Sequence, residues 1–452
     1  MASREVRNGD GRKPLLGDAL NLRRGGFTGM QSKISMMMSS SLAATISVPD
    51  PPKYPNAFSA AEIIATNEDL LAEILTRVPV RPLLRFKCVC KLWRSLISTT
   101  QFSHSHTLHH PASFSGIFVR TTPGLADPHF QFVPFLCNEN PSGSPFDSLN
   151  FVHDPAGIKI LQSCNGLLLC SSLRKIYKNR NFYVYNPSTN QFSVVTPSAA
   201  ANAKSTPILG LTLAFDPSKS PYYKIVCVRS SAVSVLHDQI EIYSSETRSW
   251  RSSGSPFIPP FDMVFDDGVF WNGSVHWLRS MGLLSLYFDV EREVFGKMPC
   301  LPATEGGWSS PKFRYFRESG GHLHVIEIHG QCPSQFKVLE LKKDYSEWFV
   351  KYKVDLQALV DQYPEMNLNY FDHFGSLSYA FVVLFLARDD DGKNKDEASL
   401  LLHIPGKVIS YNLKVGTFKK LCDLAPHGTE YRVSPQFGLF DAYQYIETLA
   451  SV

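Results

Sequence analysis

Five eleven-residue segments align without gaps along the C-terminal part of the chain: FYVYNPSTNQF from Phe182, IEIYSSETRSW from Ile240, SLYFDVEREVF from Ser285, VLELKKDYSEW from Val338 and VISYNLKVGTF from Val408. Each reads as a strand, a polar turn and a closing aromatic. The alternating apolar residues suit one face of a half-buried strand, and the Asn, Ser, Asp or Lys that follows begins a turn. The closing Phe or Trp is expected to return to the core. The starts lie 58, 45, 53 and 70 residues apart, which is close to the spacing of four-stranded propeller blades.

A second signal precedes three of these units: Gly166 in CNGLLLC, Gly268 in DGVFWNGSVHWL and Gly320-Gly321 in GGHLHVIEI each lead an apolar strand. An inner apolar strand followed by an outer strand with its aromatic is what radially stacked blades require. The fold expected for residues 109–452 is therefore a β-propeller-like domain, with six blades. A two-sheet sandwich also contains many short strands, but this stretch is large for one sandwich. The polar run 388–397 fills the widest interval and is expected on a solvated loop.

The rest of the chain divides by composition. Residues 1–60 mix Gly, Ser, Met and scattered charge without periodicity and end in a Pro-rich stretch, the pattern of a disordered tail. Residues 61–108 carry helical patterning. Helices first and strands afterwards imply a multidomain, mainly β protein. With 44% hydrophobic and 19% charged residues, the bulk of the chain can bury enough surface to offset its ordering entropy. A formal charge of +4 is too mild to imply nucleic-acid binding. Nine cysteines without paired spacing read as reduced, intracellular thiols. The longest apolar run, 379–387, is far short of the roughly 20 residues that cross a bilayer, and reads as a buried strand. No signal-peptide pattern is present, and acidic residues near the start speak against a transit peptide.

In the helical stretch, Thr66-Asn67-Glu68-Asp69 is a capping-box pattern that should start a helix. Leu70, Leu71, Ile74, Leu75 and Val78 follow as one apolar stripe ending at Pro79. Pro82 opens a second helix, where its missing donor is harmless. From there Leu83, Leu84, Phe86, Val89, Cys90, Trp93, Leu96 and Ile97 are apolar, while Arg81, Arg85, Lys87, Lys91 and Arg94 are basic. So short a module cannot bury all this surface against itself, so part of it must face a partner.

The segment NEDLLAEILTRVPVRPLLRFKCVCKLWRSLIS resembles the F-box, notably in Glu73-Ile74-Leu75 before Val78-Pro79, in Leu83 and Phe86, and in Val89-Cys90-Lys91-x-Trp93. The resemblance implies a three-helix module that docks on a Skp-type adaptor and through it on a cullin scaffold. By the same resemblance Leu70, Leu71, Ile74, Leu75, Val78, Pro79, Leu83, Phe86, Val89, Cys90 and Trp93 are adaptor contacts or the core that presents them. The family commonly opens with Leu-Pro, where this chain has Thr66-Asn67. SCNGLLLC, YNPSTNQF, LAFDPSKSPYYKIVCV, DGVFWNGSVHWL and LYFDVEREVF resemble the F-box-associated domain of plant F-box proteins. That architecture implies a non-catalytic subunit of an SCF-type ubiquitin ligase, cytoplasmic or nuclear, whose second domain captures a protein substrate. A non-ligase, protein- or glycan-binding propeller with a degenerate F-box is the alternative.

Enzymatic motifs are missing: the sequence has no P-loop, no GxGxxG after a strand, no GxSxG and no HExxH. No catalytic residue, metal or cofactor is expected, and neither nucleic acid nor membrane as partner. His104, His106, His109 and His110 are read as a polar connector, since zinc sites add cysteines or helix-spaced histidines. His322 and His324 share one strand face, with no acidic or Cys partner apparent nearby. Cys88 and Cys90 are read as small, partly buried hydrophobes and Cys164 and Cys170 as core. Asn272-Gly273-Ser274 fits the glycosylation pattern but falls in a strand-turn context.

Overall fold

The repeats are the outer hairpins of five four-stranded antiparallel sheets. In the computed structural model these sheets are β3–β6 (Ile158–Cys164, Leu167–Ser172, Phe182–Asn186, Gln191–Val195), β7–β10 (Ile208–Ala214, Lys224–Ser230, Asp238–Ser244, Ser249–Phe257) and β11–β14 (Val269–Trp271, Ser274–Trp277, Leu286–Asp289, Val294–Lys297). The others are β15–β18 (Phe313–Ser319, His322–Ile328, Gln335–Leu341, Trp348–Asp355) and β21–β24 (Val382–Arg388, Ala398–Ile404, Lys407–Asn412, Phe418–Asp423). A helix α5 (Gln357–Gln362) and a small hairpin, β19 (Asn367–Leu368) with β20 (Ser378–Tyr379), lie between the last two. The sixth sheet joins the two ends of the domain: β25 (Ala442–Ile446) pairs with β1 (Phe114–Arg120), which pairs with β2 (Phe130–Pro134).

The structure describes residues 67–110, 114–121, 128–135, 145–146, 149–155, 157–173, 180–196, 206–234, 236–279, 285–302, 313–328, 334–368, 378–388, 398–424 and 442–452. The expected tail, 1–60, and all but the first residue of the polar run 388–397 lie outside them. The chain divides into two compact units, 1–73 and 74–452.

Turn chemistry makes the repeats. Asn186, Asp289 and Asn412 each accept, at their side-chain oxygen, backbone N–H bonds from residues two and three positions on. Four residues after the turn-opening position the backbone is left-handed, at Asn190, Arg248, Glu293 and Gly416 (φ 55°, 51°, 57° and 71°). A turn followed by one left-handed residue is how a short loop returns an antiparallel strand in register. The closing aromatic is less buried than expected: Phe192 and Phe295 are exposed, Trp250 and Phe418 half-buried, and only Trp348 is buried. It begins the outermost strand, which has a neighbour on one side only.

The innermost strands β25, β3, β7, β11, β15 and β21 neighbour one another in a closed ring. Each pair of adjacent sheets shares an apolar cluster, six in all. The domain is thus a six-bladed β-propeller whose core is a ring of inter-blade layers. The apolar run read as one strand supplies innermost β21, buried from Val382 to Ala387. Of the glycine-led strands only that after Gly268 is innermost. Gly166 and Gly320-Gly321 instead turn the chain into second strands. A Cβ on Gly166 (φ 87°) would lie 2.7 Å from the Ile446 carbonyl oxygen and 2.5 Å from Thr448, so only glycine lets the closing strand pass there.

Among the described residues four helices precede the propeller, the expected three and one more after them: α1 (Glu68–Leu75), α2 (Val80–Phe86), α3 (Lys91–Ile97) and α4 (Thr100–His109). Asn67 caps α1, its Oδ1 accepting from the N–H groups of Asp69 and Leu70 at 3.0 and 3.1 Å; Thr66, expected as the cap, lies outside the described residues. Helix α2 begins before Pro82, which lies within the first turn. The amphipathic stretch breaks before α3, which Cys90 caps through its sulfur. The supposed His-rich connector is most of α4. Among the described residues no helix is long and apolar enough to cross a membrane.

Candidate functional site

The helical module separates its apolar residues into two sets. Leu71, Leu75, Leu83 and Trp93 are buried, with Val80, Ile97 and Phe102. The Phe86 ring meets Trp93 edge-on at 5.4 Å between centroids. His106 is buried and hydrogen-bonded through Nε2 to the Val78 carbonyl at 2.8 Å. Burial lowers its pKa, so its neutral ring ties α4 to the end of the α1–α2 turn. On the other side, Leu70 is 45% exposed, Pro79 and Cys90 are exposed, and Ile74, Val78, Phe86 and Val89 are half-buried. Helix α1 thus alternates, with Leu71 and Leu75 inward and Leu70 and Ile74 outward, as a one-turn spacing requires.

Within the second unit the module contacts one end of the propeller. Arg81 forms an ion pair with Glu447, and His104 Nδ1 donates to the Pro217 carbonyl at 3.0 Å. A cavity of about 530 Å³ between them is lined by Val80, Arg81, Leu84, Ser188, Asn190 and Glu447. Pro217 lies between the first and second strands of its blade, and Ser188 and Asn190 between the third and fourth. In an antiparallel meander these two kinds of turn fall at the same end. The connections between second and third strands, and from blade to blade, fall at the other.

A second cavity, of about 270 Å³, lies on the propeller axis, where Asp216, Asp266, Asp267, Glu318 and Arg317 are among its lining. Burial, then the neighbouring Asp267 charge, raises the Asp266 pKa. Nearby blades hold buried polar groups. Glu340 on β17 lies 2.8 Å from His322 and 3.4 Å from His324, with Arg388 at 3.3 Å. The histidine pair therefore does have an acidic neighbour, delivered by the adjacent strand. Burial works against the Glu340 charge, yet hydrogen bonds from the two histidines outweigh it and hold the carboxyl below its usual range. His106 and His110, one helical turn apart, stack at 4.6 Å. Even so, among the described residues no three His, Cys, Asp or Glu groups are placed to hold a metal. Cys164 and Cys170 are buried, and burial pushes the Cys164 thiol up to about 12. Cys88 and Cys90, expected partly buried, are exposed in and beside the α2–α3 turn.

Residues 67–105 match the F-box domain family and 135–325 the F-box associated beta propeller domain family. The F-box protein At5g07610 of Arabidopsis thaliana is 35% identical, over 87% of this chain and 94% of its own length. The chain belongs to the plant F-box proteins. A second relative from the same plant, F-box protein At5g49610, is 28% identical over 66% of this chain and 81% of its own. The F-box/kelch-repeat protein At3g17530 is 26% identical over 51% and 59%.

In this F-box protein the eleven residues marked by sequence do not form one surface. Four are interior and seven are wholly or partly uncovered. The resemblance alone leaves that division open, because helical spacing fixes which residues share a face but not which face is covered. Sequence reading also missed Arg81, His104 and Glu447, which join module to propeller. Charged and polar residues that pair across the fold carry no local signal. A further omission is the loop IPPFDMVF between β10 and β11, whose apolar residues are interrupted by two prolines that exclude a central strand.

Proposed function

We propose that this F-box protein is the substrate-recognition subunit of an SCF-type ubiquitin ligase. Its F-box engages a Skp-type adaptor, and its propeller holds the target protein. Its role is to bring a target lysine near a ubiquitin-loaded enzyme, so that catalysis comes from proximity supplied in trans. Such a subunit works in the cytoplasm or nucleus. The observation that carries the reading is the apolar residues the helical module leaves uncovered, Pro79 and Cys90 exposed and Ile74, Val78, Phe86 and Val89 half-buried, while Leu75, Leu83 and Trp93 are buried. A few anchors of this kind dominate a standard interface.

The division of residues dictates the experiment. Truncating Leu75 or Trp93 removes core, so loss of adaptor binding would not separate docking from folding. Leu70→Glu with Val89→Glu instead charges the outer surface and leaves the core intact. The full chain is expected to co-elute with the adaptor, and the double variant to lose it while melting at the same temperature. Undiminished co-elution of the variant, or none with the wild type, rejects the ligase reading. Asn67 caps α1 at the place where the family commonly has Leu-Pro, and this favours a second reading, a free-standing binding protein, which the last outcome would select.

A further inference from the structure

The cations of the helical module have no acids near them in the chain. Residues 74–126 hold seven Lys or Arg and no Asp or Glu. In the propeller such charges find partners: Arg229 with Glu241, Arg279 with Asp262, Arg314 with Glu327 and Arg388 with Glu340 are ion pairs. Arg81 of the module reaches Glu447. Among the described residues Arg85, Lys87, Lys91 and Arg94 are paired with no carboxylate.

Three of these charges crowd one turn. Cys90 caps α3, so Lys91 is the first residue of the helix and Arg94, three positions on, shares its face. Trp93 and Ile97 are buried, whereas Lys91 and Arg94 are exposed. Lys87, in the preceding turn, is half-buried. Burial, then the neighbouring Arg94 charge, lowers its pKa. An ammonium partly withdrawn from water beside a guanidinium is unfavourable in the isolated chain, and a carboxylate brought by another molecule would relieve both. Apolar groups are interleaved with the cations: Phe86 and Val89 half-buried, Cys88 and Cys90 exposed. A nucleic-acid backbone would satisfy the charges but not the apolar groups. An acidic protein face that also carries apolar residues satisfies both.

We propose that the α2–α3 turn is the charged part of the adaptor interface, where Lys87, Lys91 and Arg94 meet carboxylates of the adaptor around the apolar contacts of Phe86, Val89 and Cys90. The inference rests on the reading of the F-box as the adaptor-docking module, and adds that the adaptor face is acidic as well as apolar. The apolar contacts hold the complex and the exposed cations steer its formation, since complementary charge acts chiefly on the association rate and is screened by salt.

Association and dissociation rates of the full chain with the Skp-type adaptor, measured over about 0.05–0.5 M sodium chloride, test it. Wild-type association is expected to slow about tenfold or more across that range. Lys91→Gln with Arg94→Gln, both at exposed positions, should associate about tenfold more slowly than the wild type at the lowest salt, approach its rate at the highest, and melt as it does. Charge reversal, Lys91→Glu with Arg94→Glu, should slow association further. Association indifferent to salt, or a neutralised variant with the wild-type rate at low salt, overturns the proposal and leaves adaptor binding standing. Absence of any wild-type binding to the adaptor overturns both. Wild-type capture of a short DNA duplex at about 0.15 M salt, lost in the neutralised variant, overturns the proposal too and assigns the cations to nucleic acid.

Discussion

At the helix-bearing end of the propeller, Asn165-Gly166 alone joins β3 to β4, and Asn272-Gly273 alone joins β11 to β12. At the opposite end residues 258–268 join β10 to β11. The same strands feed both ends, so the difference lies in the connections. Short turns fixed by side-chain caps and left-handed residues dictate register, and a change there is felt by two strands. Longer connections add little closure cost and can vary without moving the sheets. Neither end is uniform, since residues 215–223 join β7 to β8 at the first and Pro405-Gly406 alone joins β22 to β23 at the second, so the constraint belongs to each connection and not to the end as a whole.

The largest expected effect tests the ring on which both ends depend. Removing residues 442–452 deletes β25, opens the sixth blade and uncovers β3 and β21. The truncated chain should show no cooperative thermal unfolding by calorimetry. A wild-type melt would mean that the ring does not need its C-terminal strand.

A pair of substitutions sharpens the contrast within one loop. Phe265→Ala empties a site between Trp277 and the blade core and should cost about 3–5 kcal/mol in denaturant unfolding. Phe261→Ala, four residues earlier, should change stability by no more than about 0.5 kcal/mol. Equal costs would remove the distinction between anchored frame and presented surface.

A smaller, pH-dependent effect belongs to the turn end. Buried His276 is hydrogen-bonded to the Val269 carbonyl at 3.2 Å and to the hydroxyl of Tyr345, in the β17–β18 turn of the next blade, at 2.9 Å. Burial pushes its pKa down to about 3, so the folded protein keeps the ring neutral, while in an unfolded chain it gains a proton below about pH 6.5. Its contribution is therefore present above that pH and declines as pH falls from about 6.5 towards 3, by up to roughly 1.4 kcal/mol per pH unit. Buried His403, pushed down to about 4, acts in the same direction. Melting temperature followed between about pH 7 and pH 4 should fall more steeply for the wild type than for His276→Gln. Parallel slopes would exclude His276 as the titrating group.

Much of this was legible in the residues. Each eleven-residue repeat is an alternation of apolar residues with a turn signal, both local, and each became an outer hairpin. The F-box helices were marked by spacing and by Pro79 and Pro82, and Asn67 caps the first of them. Cys90 divided what read as one amphipathic stretch, and the histidines expected in a connector became α4.

The sequence by itself determined the hairpins, the blade spacing and the F-box helices, because strand alternation, turn caps and helical stripes involve residues a few positions apart. Only the tertiary structure decided that β25 pairs with β1, that Leu71 and Trp93 lie inside while Leu70 and Pro79 remain outside, and that Phe265 is buried while Phe261 stands in water. Burial depends on which distant segments come to cover a side chain, and Phe261 and Phe265, alike in type and close in sequence, differ only in that.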